Sequence, residues 1–300
     1  MPSKALISGA SGLIGAALLP SLRAHGYAVS RLIRSEPSRT DEIHWDPAHP
    51  IAPESVSNFD AVIHLAGESV VARWTKEKKA RIRDSRVLGT RHLSEALAKS
   101  SKPPRVLISA SAIGYYGDRG EEILREESAS GTGFLSEVCR EWEAATQAAS
   151  GAGIRVVHIR IGLVLAPTGG ALQPMLMPFK FGVGGKIGSG RQWWSWIHID
   201  DLVGTIIHIL ENDSLHGAVN LVSPEPARNA VFTKLLASVL SRPAIFSMPA
   251  FIARLALGEM ADEAVLASQR VEPAKLLARG YVFQRPDLKQ SLEKIIKKRP

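Results

Sequence analysis

Residues 6–18 read LISGASGLIGAAL, an apolar run that leads straight into three glycines spaced three apart, Gly9, Gly12 and Gly15. Between a strand and a helix, glycines at this spacing let the backbone turn tightly and approach a pyrophosphate. Free N–H groups and the positive end of the helix dipole then meet its charge. The dipole supplies about 0.3 to 2 kcal/mol, so a dinucleotide needs further contacts along the chain. Where the ligand is NAD, an acidic residue about 20 positions on takes the ribose 2′-hydroxyl, whereas an arginine there suits a 2′-phosphate. No Asp or Glu occurs between Met1 and Ser35, and the second apolar run ends Ile33, Arg34, Ser35. Arg34 is therefore expected to clamp the extra phosphate of NADP(H), with Arg31 as a lesser helper.

Such a loop works only if a sheet positions it. β-rich runs at 5–8, 28–33, 61–66, 105–110 and 155–161 alternate with helical patterns near 14–25, 76–99 and 134–150. That alternation predicts right-handed βαβ units and the α/β class, a Rossmann-like doubly wound parallel sheet. After Leu165 the texture becomes glycine-rich and aromatic, followed by a helix over 202–210, a strand over 218–223 and an α-rich tail. The expected organisation is an NADP-binding region over 1–165, to which 195–215 returns, and a smaller α/β substrate-binding region over 166–300.

Composition narrows the classes. A 300-residue chain that is 45% apolar and 22% charged buries a sizeable core, and it contains no 18-residue uncharged apolar run and no secretory pattern. A cytoplasmic location is expected, in keeping with a single cysteine, Cys139. The net charge of +8 is concentrated in residues 73–91 and in the last twelve residues, so the rest of the chain has no general basic face. Both runs read as solvated helix surfaces, and neither a nucleic-acid nor a membrane partner is expected. Nine histidines lack metal-ligand spacing, so no metal is expected.

The strings GASGLIG, AVIHLAGES and WIHIDDLV resemble the extended branch of the short-chain dehydrogenase/reductase superfamily, the NAD(P)-dependent epimerases and dehydratases. RLIRS, RVLGTR, SAIGYYGD, GLVLAPTGGAL, PFKFGVGG and LGEMADEAVLASQRV are similar to its atypical YfcH-type "epimerase family" members, over almost the whole chain. The resemblance implies cofactor contacts at Gly9, Ser11, Gly12, Leu13, Ile14, Gly15, Ile33, Arg34, Leu65, Ala66, Arg86 and Val164. It also implies a homodimer paired through the helices near 80–97 and 134–149. The residues themselves agree at several places. Leu65-Ala66-Gly67 ends an apolar run at the sheet's carboxyl edge, where small side chains admit a ribose. Ile82, Arg86, Gly89, Leu93 and Leu97 share one helical stripe, so Arg86 is expected to meet a cofactor phosphate or a substrate acid, a structural ion pair being the alternative.

The chemical end departs from the family. Its usual members carry a Ser and a Tyr-x-x-x-Lys, but the corresponding helix reads GFLSEVCREWEAA, with Leu135 and Cys139 nearest that pair. Ser109 and Ser111 remain to orient a substrate oxygen, and Tyr115 and Tyr116 to give the proton, although a phenol near pKa 10 is a sluggish base at neutral pH. Cys139 lies on a stripe with Leu135, Val138 and Trp142 and reads as packing. Lys180, Lys186 and Arg191 are candidates for holding an acidic substrate, and Trp193, Trp194 and Trp196 for stacking on a ring. Asp200 and Asp201 read as helix caps. The expected function is NADP-dependent hydride transfer, oxidoreductase or epimerase-like, on a small polar, sugar-like compound. The alternative is a non-catalytic NADP(H)-sensing protein, associated with division in related chains.

Overall fold

In the computed structural model, residues 2–297 are described; Lys298 and Arg299 of the C-terminal basic run lie outside them. The first apolar run forms β1 (Lys4–Ser8), the glycine turn opens helix α1 (Leu13–Ala24), and β2 (Ala28–Ile33) and a short β3 (Glu42–His44) follow. β4 (Ala61–His64) leads into the long helix α2 (Lys76–Ala98). β5 (Val106–Ala112), helix α3 (Phe134–Ala144) and β6 (Arg155–Ile161) complete the alternation.

The chain then leaves the sheet for α4 (Leu172–Lys180). It returns through α5 (Ile199–Glu211) and β7 (Gly217–Leu221), and ends in α6 (Asn229–Leu240), α7 (Ala250–Leu257) and α8 (Leu288–Lys297). The seven strands form one parallel sheet in the order β7-β6-β5-β4-β1-β2-β3. The order reverses between β1 and β4, the switch point at which doubly wound folds bind ligands beyond the strands' carboxyl ends. Central strands are covered on both faces, which is why β4 is buried at all four positions and β5 at six of seven.

Short ladders build the remainder. Leu163–Leu165 pairs in parallel with Trp196–His198, and Trp193–Trp194 pairs antiparallel with Ala227–Arg228. Leu172, Leu176 and Phe179 of α4 pack with Trp194, Trp196, Phe232 and the α8 residues Leu292 and Ile295 in a second core. Asp201, expected to cap a helix, instead lies in the first turn of α5, buried. Its carboxylate accepts N–H bonds from Gln284 and Arg285 at 2.7 and 2.8 Å, fastening the tail to α5. The cap is His198, whose Nδ1 accepts from the Asp200 N–H, and Asp200 pairs with Lys294 at 2.8 Å. No helix among the described residues is long and apolar enough to cross a membrane.

Candidate functional site

Gly9 leaves β1 with φ +70°, a conformation that only glycine adopts without strain. A side chain there would stand 2.8 Å from the Leu65 carbonyl carbon. One at Gly15 would collide with the Gly9 carbonyl and reach 2.7 Å from the Ala10 Cα. The cradle therefore exists only because these positions lack Cβ. Gly12 is the N-cap of α1; among the described residues no side chain caps the helix, no acidic residue lies in its first turn, and the first helical bond runs from the Ala16 N–H to the Gly12 carbonyl. A bare helix N-terminus facing a glycine cradle is suited to a pyrophosphate.

The rest of the expected cofactor set is gathered around it. Leu13 and Ile14 start α1, and Ser11 is exposed beside them. Ile33 ends β2, which lies next to β1, and Arg34 follows it, while Leu65 and Ala66 follow β4 on the other side of β1. Val164, from the Leu163–Leu165 ladder, reaches the same place: a side chain added at Gly170 would lie 3.0 Å from the Val164 carbonyl and 3.1 Å from the Leu13 Cδ2. Arg34 is exposed and, among the described residues, makes no hydrogen bond or ion pair, which leaves its guanidinium available to an anion. Arg31 is not available. It is held by Asp41 and Glu42 at 3.2 and 2.9 Å, which removes it as a helper.

A buried polar row supports the turn after β4, and sequence reasoning missed it. Register sets Ser8, His64 and Ser109 side by side on one face of the sheet. The Ser8 hydroxyl accepts from the Leu65 and Ala66 N–H groups at 3.1 and 3.3 Å and contacts His64 Nδ1 at 2.6 Å. His64 Nε2 contacts the Thr90 hydroxyl, which also accepts from the Trp142 indole. Full burial pushes the His64 pKa down to about 4, so the ring is neutral at physiological pH. The signal was present in AVIHLA: a histidine at the end of an otherwise apolar buried strand requires two partners.

Arg86 lies in the same neighbourhood. Its Nη1 donates to the Glu68 and Ile82 carbonyls at 2.9 and 3.1 Å, and its guanidinium stands 5.0 Å from the Trp142 ring centroid. Among the described residues it has no carboxylate partner. Burial lowers its pKa, with Cys139 and Glu68 opposing. A side chain on Gly67 would lie 3.3 Å from its Cζ, so the glycine leaves the guanidinium open toward the carboxyl edge.

A second row governs the chemical end. Ser111, Arg160 and Asn220 stand in register on β5, β6 and β7. Glu143 of α3 accepts from Arg160 at 2.8 and 2.9 Å and from the Ser111 hydroxyl at 2.7 Å. The Tyr116 hydroxyl donates to Asn220 Oδ1 at 2.7 Å and accepts from Arg160 at 3.0 Å. Tyr116 is fully buried, and desolvation pushes its pKa up to about 12. Its hydroxyl is thus committed to Asn220 and Arg160 inside the buried row, where the sequence expectation has it giving the proton. Ser111 is 2% exposed and already bonded, and Ser109 is fully buried with no partner for its hydroxyl among the described residues, so both hydroxyls are turned into the protein. Tyr115 is different. It is half-buried over the Arg160 guanidinium, 3.4 Å from Cζ to the ring centroid, and its hydroxyl makes no hydrogen bond among the described residues.

The substrate candidates divide in the same way. Trp194 and Trp196 are core residues, Trp194 against Phe232 with its indole on the Val265 carbonyl, so neither offers a stacking face. Trp193 lies between Arg228 and Arg270. Lys180, Lys186 and Arg191 are exposed. A cavity of about 350 Å³ lies beside the turn after β5, lined by Gly114, Leu135 and Ser136 and by Arg254, Asp262 and Glu263 from the C-terminal region. Glu263 accepts from the Phe134 and Leu135 N–H groups, both at 2.7 Å, and so caps α3.

Residues 5–221 match the NAD dependent epimerase/dehydratase family. The chain belongs to that family. Residues 248–295 match a domain of unknown function (DUF1731). An epimerase family protein of Mycobacterium leprae is 39% identical over 288 residues, covering 95% of this chain and 93% of its own length. The crystal structure of the human epimerase family protein SDR39U1 (isoform 2) with NADPH superposes with a TM-score of 0.89 at 33% identity, covering 98% of this chain and 99% of the human one. A structure from Corynebacterium glutamicum, described as a nucleoside-diphosphate sugar epimerase, gives 0.83 at 39% identity, covering 99% of this chain and 58% of that one. The NAD(P)-binding Rossmann fold of the family is thus this chain's fold.

Proposed function

We propose that this chain binds NADP(H) at the glycine cradle and exchanges hydride with a small polar, sugar-like compound at the sheet's carboxyl edge. The observation that carries the reading is the bare N-terminus of α1 set against Gly9, Gly12 and Gly15, with the unpaired Arg34 at the end of the neighbouring strand. The human relative's NADPH and the C. glutamicum relative's description as a sugar epimerase support the cofactor and the substrate class. When bound, the nicotinamide supplies a hydride donor or acceptor. In this reading the α1 N–H groups bind the pyrophosphate, Arg34 the 2′-phosphate, and the turn held by Ser8 supports the ribose. Arg86 offers a guanidinium to an anionic group. Tyr115 is the remaining candidate to hold a proton beside the reacting carbon, because Tyr116, Ser109 and Ser111 are occupied or sealed.

A second reading, a sensor of NADP(H) occupancy without turnover, is favoured by that same sealing of the chemical end. Fluorescence titration tests the cofactor. NADPH binds more tightly than NADH, and Arg34→Ala removes about 10- to 100-fold of affinity for NADPH alone; equal affinity for both cofactors refutes the assignment. Stereospecifically deuterated NADPH with a panel of aldoses, ketones and nucleotide sugars separates the two readings. Label transfer lost in Tyr115→Phe supports turnover, and tight binding with no transfer supports the sensor.

A further inference from the structure

Of the fourteen large apolar side chains exposed among the described residues, nine fall within residues 177–183 and 245–255. Phe181, Val183, Ile245, Phe246, Phe251 and Leu255 are from 53% to 80% exposed. Their segments lie side by side. Phe246–Met248 pairs in parallel with Gly185–Ile187, the Gly188 N–H donates to the Met248 carbonyl at 2.8 Å, and a side chain on Gly188 would be 3.7 Å from the Ala250 Cβ at the start of α7. The result is one concentration of apolar surface on the C-terminal region, far above the single exposed residues common on a protein surface.

Its charge is one-sided. No Asp or Glu occurs from Gly162 to Ile199 or from Pro226 to Gly258, while the two stretches hold seven lysines and arginines. The acidic groups that reach them from elsewhere are already engaged: Asp262 with Arg254, Glu121 with Arg228, and Glu259 with Lys79. Lys180, Lys186 and Arg242 are exposed and have no ion-pair partner among the described residues. A second copy of the chain does not complement this face, because self-pairing would set cations against cations. Protruding aromatic and aliphatic groups within a rim whose unpaired charges are basic satisfy the two requirements for peripheral attachment to an anionic bilayer, insertion of apolar side chains and attraction to headgroups.

We propose that this face docks the protein on an anionic lipid surface, in departure from the sequence-based expectation of no membrane partner. The test is flotation of the full chain with vesicles of phosphatidylcholine alone or mixed with phosphatidylglycerol. Binding is expected with the mixed vesicles, about tenfold or more tighter than with neutral ones, and weakening as salt rises. Phe246→Ser with Phe251→Ser, and separately Arg242→Glu, each reduce it several-fold while NADPH binding, the check on folding, is retained. Absence of flotation with anionic vesicles overturns the proposal, as does flotation that these substitutions leave unchanged. A dimer in light scattering that Phe246→Ser with Phe251→Ser dissolves, without flotation, assigns the face to a second copy and likewise overturns it.

Discussion

The Ser8 hydroxyl and the His64 imidazole meet at 2.6 Å across adjacent parallel strands, and the same hydroxyl accepts the two N–H groups that open the turn at Leu65. Stability should report this arrangement through pH. The folded His64 titrates near 4 and the unfolded one near its ordinary 6.5, so between those values only the unfolded chain takes up the proton. The contribution is complete above 6.5 and is lost as pH falls toward 4, the loss amounting to about 2 to 3 kcal/mol by pH 4.5. Urea unfolding of the native chain and of His64→Gln at pH 7 and pH 4.5 measures the difference. Equal pH dependence in the two proteins would mean the imidazole is not held neutral.

Gly15→Ala places a methyl group against the Gly9 carbonyl and the Ala10 Cα, so the cradle must open. The expected outcome is a loss of NADPH affinity of about 100-fold or more together with a lower melting temperature, since overpacking typically costs about 1 to 3 kcal/mol. Gly26→Ala serves as the contrast. A side chain there meets no atom within 4 Å, but φ is +79°, so stability falls while cofactor affinity does not. Calorimetric titration with NADPH distinguishes the two variants.

The Ser111, Arg160, Asn220 row makes the chemical end rigid. Arg160→Met leaves the largely covered Glu143 without its bidentate partner, and breaking such a pair costs up to about 3 to 5 kcal/mol. Tyr116→Phe removes one donor and leaves Asn220 Oδ1 short of a bond, for about 1 to 3 kcal/mol. Because burial holds the Tyr116 phenol near 12, Tyr116→Phe leaves any pH–rate limb between 6 and 9 in place. A limb that disappears in this variant would return Tyr116 to the proton relay.

Much of the scaffold could be read from residue types, and the reasons are physical. Strands β4, β5 and β6 are covered on both faces, so the runs AVIHLA, RVLISA and RVVHIRI stand out as apolar. The Gly9, Gly12, Gly15 spacing is forced by close backbone contacts. The edge strand Glu42–His44 and the two- and three-residue ladders after Leu165 are too short for any period to show. Spacing cannot separate Tyr115 from Tyr116; the single-turn helix Ile113–Tyr116 turns one inward to Asn220 and leaves the other on Arg160. The cap on α3 was invisible because its carboxylate comes from 129 residues away.

Cys139 should behave as packing. Its thiol is 3% exposed, and burial pushes its pKa up to about 11, with the Glu143 carboxylate adding to the shift. At pH 8 the thiolate fraction is then about one in a thousand, against about one in four for an ordinary cysteine. Reaction with a disulfide reagent is expected only at the rate of local or global opening, and to accelerate in urea. Rapid labelling of the folded protein would place the thiol in an open, activated site instead.

Glu263 joins the C-terminal region to α3 through its two carboxylate oxygens, which accept the Phe134 and Leu135 N–H groups and place a negative charge at the positive end of the helix. Gly133 makes room for it, because a side chain there would stand 2.9 Å from Glu263 Oε1. Glu263→Ala deprives the helix of both acceptors and is expected to cost about 1 to 2 kcal/mol; Glu263→Gln keeps one acceptor and loses the charge, for a smaller loss. Hydrogen exchange locates the effect. The amides of Phe134 and Leu135 lose protection first, while those of β4 and β5 keep theirs. If the two amides stay protected in Glu263→Ala, α3 is capped by some other group, and the C-terminal region does not hold the helix that lines the cavity.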